Sequence, residues 1–459
     1  MQKTRENRWS DVHRADIQDL REMAVSAHTY ASGSDGVWSY IRPLSEILDD
    51  IESLVRNGPQ GKPLYGMLFS VKDNFHIDGL PLTANSQYPS HFSSYTATAV
   101  RAMTNAGAIL LGKNTMDEFA TGLTGIRSQE RPQNPYSIHH VPGGSSSGSA
   151  VAVAQGVVAF ALATDTGGSG RVPPALNNII GFKPTPGRYS THGLLYANKL
   201  FDCIPVFSRD KDVTARVMRV MPHAGDGEAS KLFGASCRTN IPATRGSSSR
   251  IGLMNINDMQ FFGDETQRHA YENALSAFLT DTGLSAREVD LSTYIEAGAL
   301  VFRSPYVSER RMFINSFTDG DTEKLNPSVK TVIEKASMYT AEDVFEVLYK
   351  TAYFRASINR IFEEVDFFVT PTIPTIPTID QVLADPVTEN HKLGFYTYAA
   401  NVLGLPVAAI PYGFREDGLP FGLSIVGRPD SDCDLLDVLR LCRDSGNCYD
   451  SIAREYLNP

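Results

Sequence analysis

The sequence has little cysteine and shows no pattern that would pair it. Its five cysteines, Cys203, Cys237, Cys433, Cys442 and Cys448, are odd in number and irregularly spaced, with no CxxC pair and no histidine cluster nearby. That excludes a disulfide framework and argues against a structural zinc site; Cys442 and Cys448, near a C-terminal helix, read as buried or incidental thiols. Long apolar runs are missing as well. No stretch approaches the roughly 20 residues that a membrane span needs, and the opening MQKTRENRWSDVHRADIQDL is too charged for a signal peptide. We therefore expect a soluble, cytoplasmic protein without a membrane partner. Basic runs are absent, and the formal net charge is −10. Such a chain lacks the phosphate-neutralising groups that drive nucleic-acid binding, so no nucleic-acid partner is expected. Repeats, heptads and low-complexity tracts are absent too; the one soft region, residues 235–249, is rich in Gly, Ser and Thr and reads as a surface loop.

What is present is enough apolar material, 42% of 459 residues, to bury a large core. Before residue 235, short apolar runs at 64–71 and 108–111 alternate with helical patterns at 41–54 and 96–105, the rhythm of an α/β fold. Beyond residue 249 we read a strand at 250–254 and a helix at 266–279. Further buried strands follow at 367–370, 407–410 and 423–426, each closed by Pro or Gly. Cutting the chain near residue 240 would leave strands unpaired on both sides, so one sheet is expected rather than two.

The segment VPGGSSSGSAVAVAQG, from Val141 to Gly156, sets a Gly/Ser turn directly before small residues suited to a tightly packed helix. Three readings are open. A phosphate-binding loop requires a lysine after Gly148, and none follows. A nucleophile elbow finds its GxSxG in Gly144-Ser145-Ser146-Ser147-Gly148 but needs an apolar strand before it, which His139-His140-Val141-Pro142-Gly143 is not. The third reading joins this turn to ALATDTGGSGRVP, where Gly167 and Gly168 precede Ser169. Two glycines there let consecutive N–H groups point at one spot, as an oxyanion hole requires, although a solvated turn would tolerate the same text.

GGSSSGSAVAVAQG followed by TDTGGSGRVP, with Ser145 and Ser169 separated by 24 positions, resembles the amidase signature. The family's third member, a lysine ending an apolar strand near VKDN, is matched by Lys72 in LYGMLFSVKDNFHIDGLPLTA. The resemblance implies an α/β fold with one large mixed central sheet covered by helices on both faces. It divides the chain into an N-terminal helical region, 1–60, continuous with a catalytic domain over 61–459. It implies an amide hydrolase in which Lys72 takes a proton through Ser145, itself held by a cis peptide bond, and Ser145 relays it from the nucleophile Ser169. A serine hydroxyl needs such a base, and a lysine serves only when neutral, which burial favours by up to about 3–5 pKa units. Backbone N–H groups of Thr166, Gly167, Gly168 and Ser169 would hold the oxyanion. Asp165 and Arg171 would brace the turn by charge-assisted hydrogen bonds. The scheme calls for no metal and no organic cofactor.

Within the family the text most resembles the amidase domain of allophanate hydrolases, through PLYGMLFSVKDN, DEFATGLTGIRS, SGRVPPALNNIIGFKPTPGRYSTHG, FFVTPTIPTIPTI with LADPVTEN, and LPFGLSIVGRPDSD. That resemblance implies a small ureido or carboxylated amide as substrate, with Arg310 and the stretch 118–128, including Gly122, at the pocket. It also makes a homodimer plausible, with the N-terminal helices as a candidate surface. Three departures stand out. Phe302 occupies the place of a substrate-binding Tyr eight residues before Arg310, and Tyr306 is a candidate to restore the hydroxyl from a neighbouring turn. Tyr196-Ala197-Asn198-Lys199 replaces a PACRS-like run before Leu200-Phe201-Asp202-Cys203, where Cys203 reads as core. The C-terminal domain of full allophanate hydrolases has no counterpart up to Pro459. Rival functions are the same mechanism on guanylurea, a biuret derivative or a larger carboxamide, and a catalytically silent binding subunit. The transamidating subunit of glutamyl-tRNA amidotransferase shares the triad, but Gly170 and the C-terminal half speak against it.

Overall fold

The computed structural model describes residues 9, 12, 15–128, 130–225 and 249–443. The expected loop at 235–249 lies outside them except for Ser249, as do Cys237 and Cys448.

The expected strands and helices form, with boundaries set by local chemistry. Pro43 disfavours helical backbone at Arg42, so the helix expected from residue 41 runs Leu44–Asn57, and Ile41 instead ends the strand Trp38–Ile41. That helix buries Ile47, Ile51 and Leu54, one face at i, i+4 and i+7. In the run 64–71, Gly66 turns the chain at φ 74, and the strand is Leu68–Lys72. The helix expected at 266–279 spans Glu265–Thr282; the Asp264 side chain caps its first turn, and Gly283 in left-handed backbone ends it.

Eleven strands make one mixed sheet. Across it they run Trp38–Ile41, Ile109–Asn114, Leu68–Lys72, Phe160–Leu162, Val206–Ser208, Ile180–Lys183, Val407–Phe414, Pro420–Gly427, Phe367–Pro371, Arg250–Leu253 and Ser285–Glu288. The segments before and after residues 226–248 meet where Ile180–Lys183 pairs antiparallel with Val407–Phe414. Near one edge, Leu68–Lys72 runs parallel to both Ile109–Asn114 and Phe160–Leu162. Their carboxyl ends open together, the place where α/β sheets hold ligands.

Over this parallel part lies the helix Ser147–Ala154, SGSAVAVA, buried from Ser147 through Val153. With no polar face it can only be an interior helix, and its small residues let it sit close: a Cβ on Gly148 would lie 2.4 Å from Val37 O. No helix among the described residues is long and apolar enough to cross a membrane.

Candidate active site

Lys72 ends the strand Leu68–Lys72 with no solvent exposure. Its Nζ lies 2.7 Å from Ser145 Oγ and 2.9 Å from Thr164 Oγ1, and no carboxylate among the described residues closes an ion pair on it. Burial brings its pKa down to about 7, against the pull of Asp202, Asp117 and Asp165 toward the ammonium and with a smaller push from Arg310. Lys113, on the neighbouring strand, is equally buried but pairs directly with Asp73.

Ser145 follows a cis peptide bond from Gly144 and is buried. Its Oγ donates to Ser169 Oγ at 2.8 Å, so Lys72, Ser145 and Ser169 form one continuous chain of side chains. Gly144 has no room for a side chain: a Cβ would lie 2.0 Å from Asp117 Oδ2. Asp117 meanwhile accepts from the N–H groups of Gly125 and Arg127 and donates its own to Ser145 O. No strand precedes Gly144, so the nucleophile-elbow reading has no structural counterpart; Ser146 Oγ instead donates to Thr164 O at 3.2 Å.

The turn carrying Ser169 is folded around Asp165. That carboxylate accepts from Gly168 N–H at 2.7 Å and Gly170 N–H at 2.8 Å, and from Arg171 Nε and Nη2 at 2.9 Å each. Arg171 continues to Thr397 O and Asn401 Oδ1. Burial alone would raise the Asp165 pKa, but Arg171 and these N–H donors hold it below the ordinary carboxylate value. The four expected oxyanion donors are thereby reduced. The Gly168 N–H is committed to Asp165, while those of Thr166, Gly167 and Ser169 make no hydrogen bond among the described residues. Gly168 needs its lack of a side chain, with φ 146 and a would-be Cβ 2.4 Å from Thr397 Oγ1.

The stretch 118–128 reaches the site. Leu123 Cδ2 would touch a Cβ on Gly168 at 3.2 Å, and Ala120 O and Thr121 Oγ1 accept from Arg310 Nη1 at 3.1 and 2.8 Å. Gly122 is shaped by packing against Asp117 and Arg127. Arg310 is buried, its pKa lowered to about 10 by burial, and its Nε and Nη2 make no hydrogen bond among the described residues. Its guanidinium lies 5.4 Å over the ring of Phe302, which packs edge-on against Tyr398. Tyr306 does not restore a hydroxyl to this wall. Its OH pairs with Thr351 Oγ1 at 2.8 Å and its ring packs on Phe201, because it belongs to the buried face of the helix Tyr306–Thr318. Cys203 is core, its thiol pushed up to about 12 by burial.

Sequence reasoning missed Thr164, Asp202, Asn390 and Tyr398. Asn390 Oδ1 accepts from Leu123 N–H at 2.7 Å and its Nδ2 donates to Tyr398 OH, and Tyr398 abuts Gly167. A cleft of about 370 Å³ opens elsewhere, lined by His140, Asp264, Glu389, Lys392 and Arg415 among others. Its charges are paired, Arg415 with Asp264 and Lys392 with Glu389.

The family model described as Amidase matches residues 43–436. Urea amidolyase of Saccharomyces cerevisiae is 35% identical over 440 residues, which cover 94% of this chain and 24% of that protein. A glutamyl-tRNA(Gln) amidotransferase subunit of Prosthecochloris aestuarii is 30% identical over 439 residues, 87% of this chain and 90% of the other. The solved allophanate hydrolase of Kluyveromyces lactis superposes with a TM-score of 0.87 at 29% identity, covering 98% of this chain and 72% of that one. The chain thus spans about a quarter of the length of the yeast urea amidolyase it matches.

Proposed function

We propose, from the premise that this chain belongs to the amidase family of hydrolases acting on amide C–N bonds, that it cleaves a small ureido or carboxylated amide, allophanate first among candidates, through Ser169, Ser145 and Lys72. The observation that carries the proposal is the buried chain from Lys72 Nζ to Ser145 Oγ to Ser169 Oγ, 2.7 and 2.8 Å. Neutral Lys72 accepts the Ser145 proton as Ser145 takes that of Ser169, whose Oγ attacks the carbonyl carbon. The N–H groups of Thr166, Gly167 and Ser169 receive the oxyanion. As the C–N bond breaks, the relay returns the proton to the leaving nitrogen, and water then releases the acyl group from Ser169 by the same route. Arg310, with Nη1 tied back to Ala120 and Thr121, offers Nε and Nη2 as an edge for a carboxylate.

A second reading keeps the mechanism and changes the amide to guanylurea, a biuret derivative or a larger carboxamide. It is favoured by Phe302, whose ring presents carbon where a hydroxyl would bind a polar substrate. Ammonia release from allophanate, biuret, guanylurea, malonamate and an aryl amide, by wild type and Ser169→Ala, separates the two. Release from allophanate that vanishes in the variant is expected. Ser169-dependent release from another amide alone selects the second reading, and no Ser169-dependent release from any of them indicates a silent binding subunit.

A further inference from the structure

Asp202 is a buried carboxylate that the relay does not use. It accepts hydrogen bonds from the Thr166 hydroxyl, from Ala197 N–H at 2.8 Å and from Asn198 N–H at 3.2 Å. Its neighbour Cys203 exchanges both backbone hydrogen bonds with Asp165, at 3.0 and 3.2 Å, so this segment is fastened along the turn that carries Ser169. Asn198 Nδ2 in turn donates to Tyr306 O, the first residue of the helix that carries Arg310. Asp202 therefore ties the oxyanion turn to the element holding the far arginine. An asparagine could satisfy the same three neighbours, accepting from the two N–H groups and donating to the Thr166 hydroxyl. Hydrogen bonding alone does not call for the charge.

The charge has two neighbours to act on. Asp202 favours the cationic form of Lys72 more than Asp117 or Asp165 does, and it is the acid acting most strongly on Arg310. Besides these, Lys72 faces the hydroxyls of Ser145 and Thr164, while Asp202 also faces Glu309.

We infer that Asp202 is a positioning residue, in an inference that rests on the function proposed above: through Thr166 it fixes the turn that presents N–H groups to the carbonyl, and its charge faces both Lys72 and Arg310. Burial drives Lys72 toward the neutral amine, and the Asp202 charge opposes that drive, keeping the amine basic enough to draw a proton through Ser145.

The test is the rate at which a fluorophosphonate labels Ser169, followed against pH, because labelling uses the relay and the oxyanion turn without requiring the amide to be known. Wild-type labelling is expected to rise through an inflection near 7. Burial pushes the Asp202 carboxyl up to about 6, so the comparison is made at pH 7, where it is charged: in Asp202→Asn the inflection moves to lower pH and the variant reaches about a 1.5-fold larger fraction of its own plateau than wild type does. Thr166→Val labels about tenfold more slowly at plateau, its inflection moving in the same direction as in Asp202→Asn because the lost hydroxyl no longer helps hold the Asp202 carboxyl down, and Thr166→Ser recovers most of that rate. An Asp202→Asn inflection at the wild-type pH, or a Thr166→Val plateau equal to wild type, overturns the inference. If Asp202→Asn does not fold, the two Thr166 variants decide it. A wild-type enzyme not labelled at Ser169 rejects the proposed function itself, and this inference with it.

Discussion

Lys72 and Lys113 are one strand apart and equally buried, yet their chemistry differs because of what stands beside each. Burial lowers the pKa of both, but Lys113 has the Asp73 carboxylate and the Pro81 carbonyl beside it, which favour the ammonium. Lys72 has two hydroxyls, which an amine can meet without charge. On the proposed relay its neutral form is the active one, so kcat/KM should be low in acid, rise through a pH near 7 and stay flat above it; the pH profile with the best amide checks this. Lys72→Met should cost about 10²–10⁴ in kcat, with Ser145→Ala in the same range. Phe302 makes a different prediction. Its ring lies under the Arg310 guanidinium and against Tyr398, and Phe302→Tyr adds one hydroxyl to that wall. A neutral hydrogen bond of about 0.5–1.5 kcal/mol corresponds to roughly a 2- to 12-fold gain. We expect that gain in kcat/KM for a carboxylated ureide and no gain for an aryl amide, read as the ratio between the two substrates.

At the scale of elements, the turn 165–171 is a short loop whose backbone is organised by one ion pair. Asp165→Ala would strand the fully buried Arg171 guanidinium, and losing one partner of such a pair costs about 3–5 kcal/mol. Urea denaturation at pH 7 should show that loss together with collapse of turnover. The folded-state pKa of Asp165 lies below its unfolded value, so its contribution is present above the ordinary carboxylate range and disappears as pH falls through the depressed value. The gap between wild type and variant should therefore narrow in acid. This turn also marks how far the sequence could be read. Resemblance to the amidase signature pointed to Ser145, Ser169, Asp165 and Arg171, whose motif text is contiguous and so could be matched without the fold. Helix and strand identities were legible from periodicity, and their ends followed from Pro43, Gly66 and Gly283, whose backbone constraints are local. Thr164, Asp202, Asn390 and Tyr398 were not legible. Their partners are brought near only by the fold: Asn390 meets Leu123 across 267 positions and Lys72 meets Thr164 across 92. The commitment of Gly168 N–H to Asp165 escaped for another reason: the motif shows which N–H groups are adjacent, but not which already have an acceptor.

The whole molecule imposes on Lys72 a state that the residue by itself would not adopt. Its strand lies between two parallel neighbours under an apolar helix, in a sheet whose eleven strands come from both ends of the chain, so the amine is fully buried in the free protein. Nothing in the local text except the ending of an apolar run announces this. The fold consequently carries a stability cost for the buried amine. Unfolded, Lys72 holds its proton up to about 10.5; folded, it releases it near 7. Between those values the unfolded chain binds more protons than the folded one, so stability attributable to this site rises with pH across the window and stops rising above it. At pH 7 the cost is roughly 4 kcal/mol on that difference. Lys72→Met, similar in length and without a charge to desolvate, should thus lose activity as stated above yet be more stable than wild type at pH 7, with the advantage shrinking toward pH 10. Urea midpoints of both proteins at pH 7 and pH 9.5 measure this directly. An advantage of equal size at both pH values would mean that Lys72 keeps its proton in the folded protein, and a relay that begins from a neutral amine would have to be abandoned.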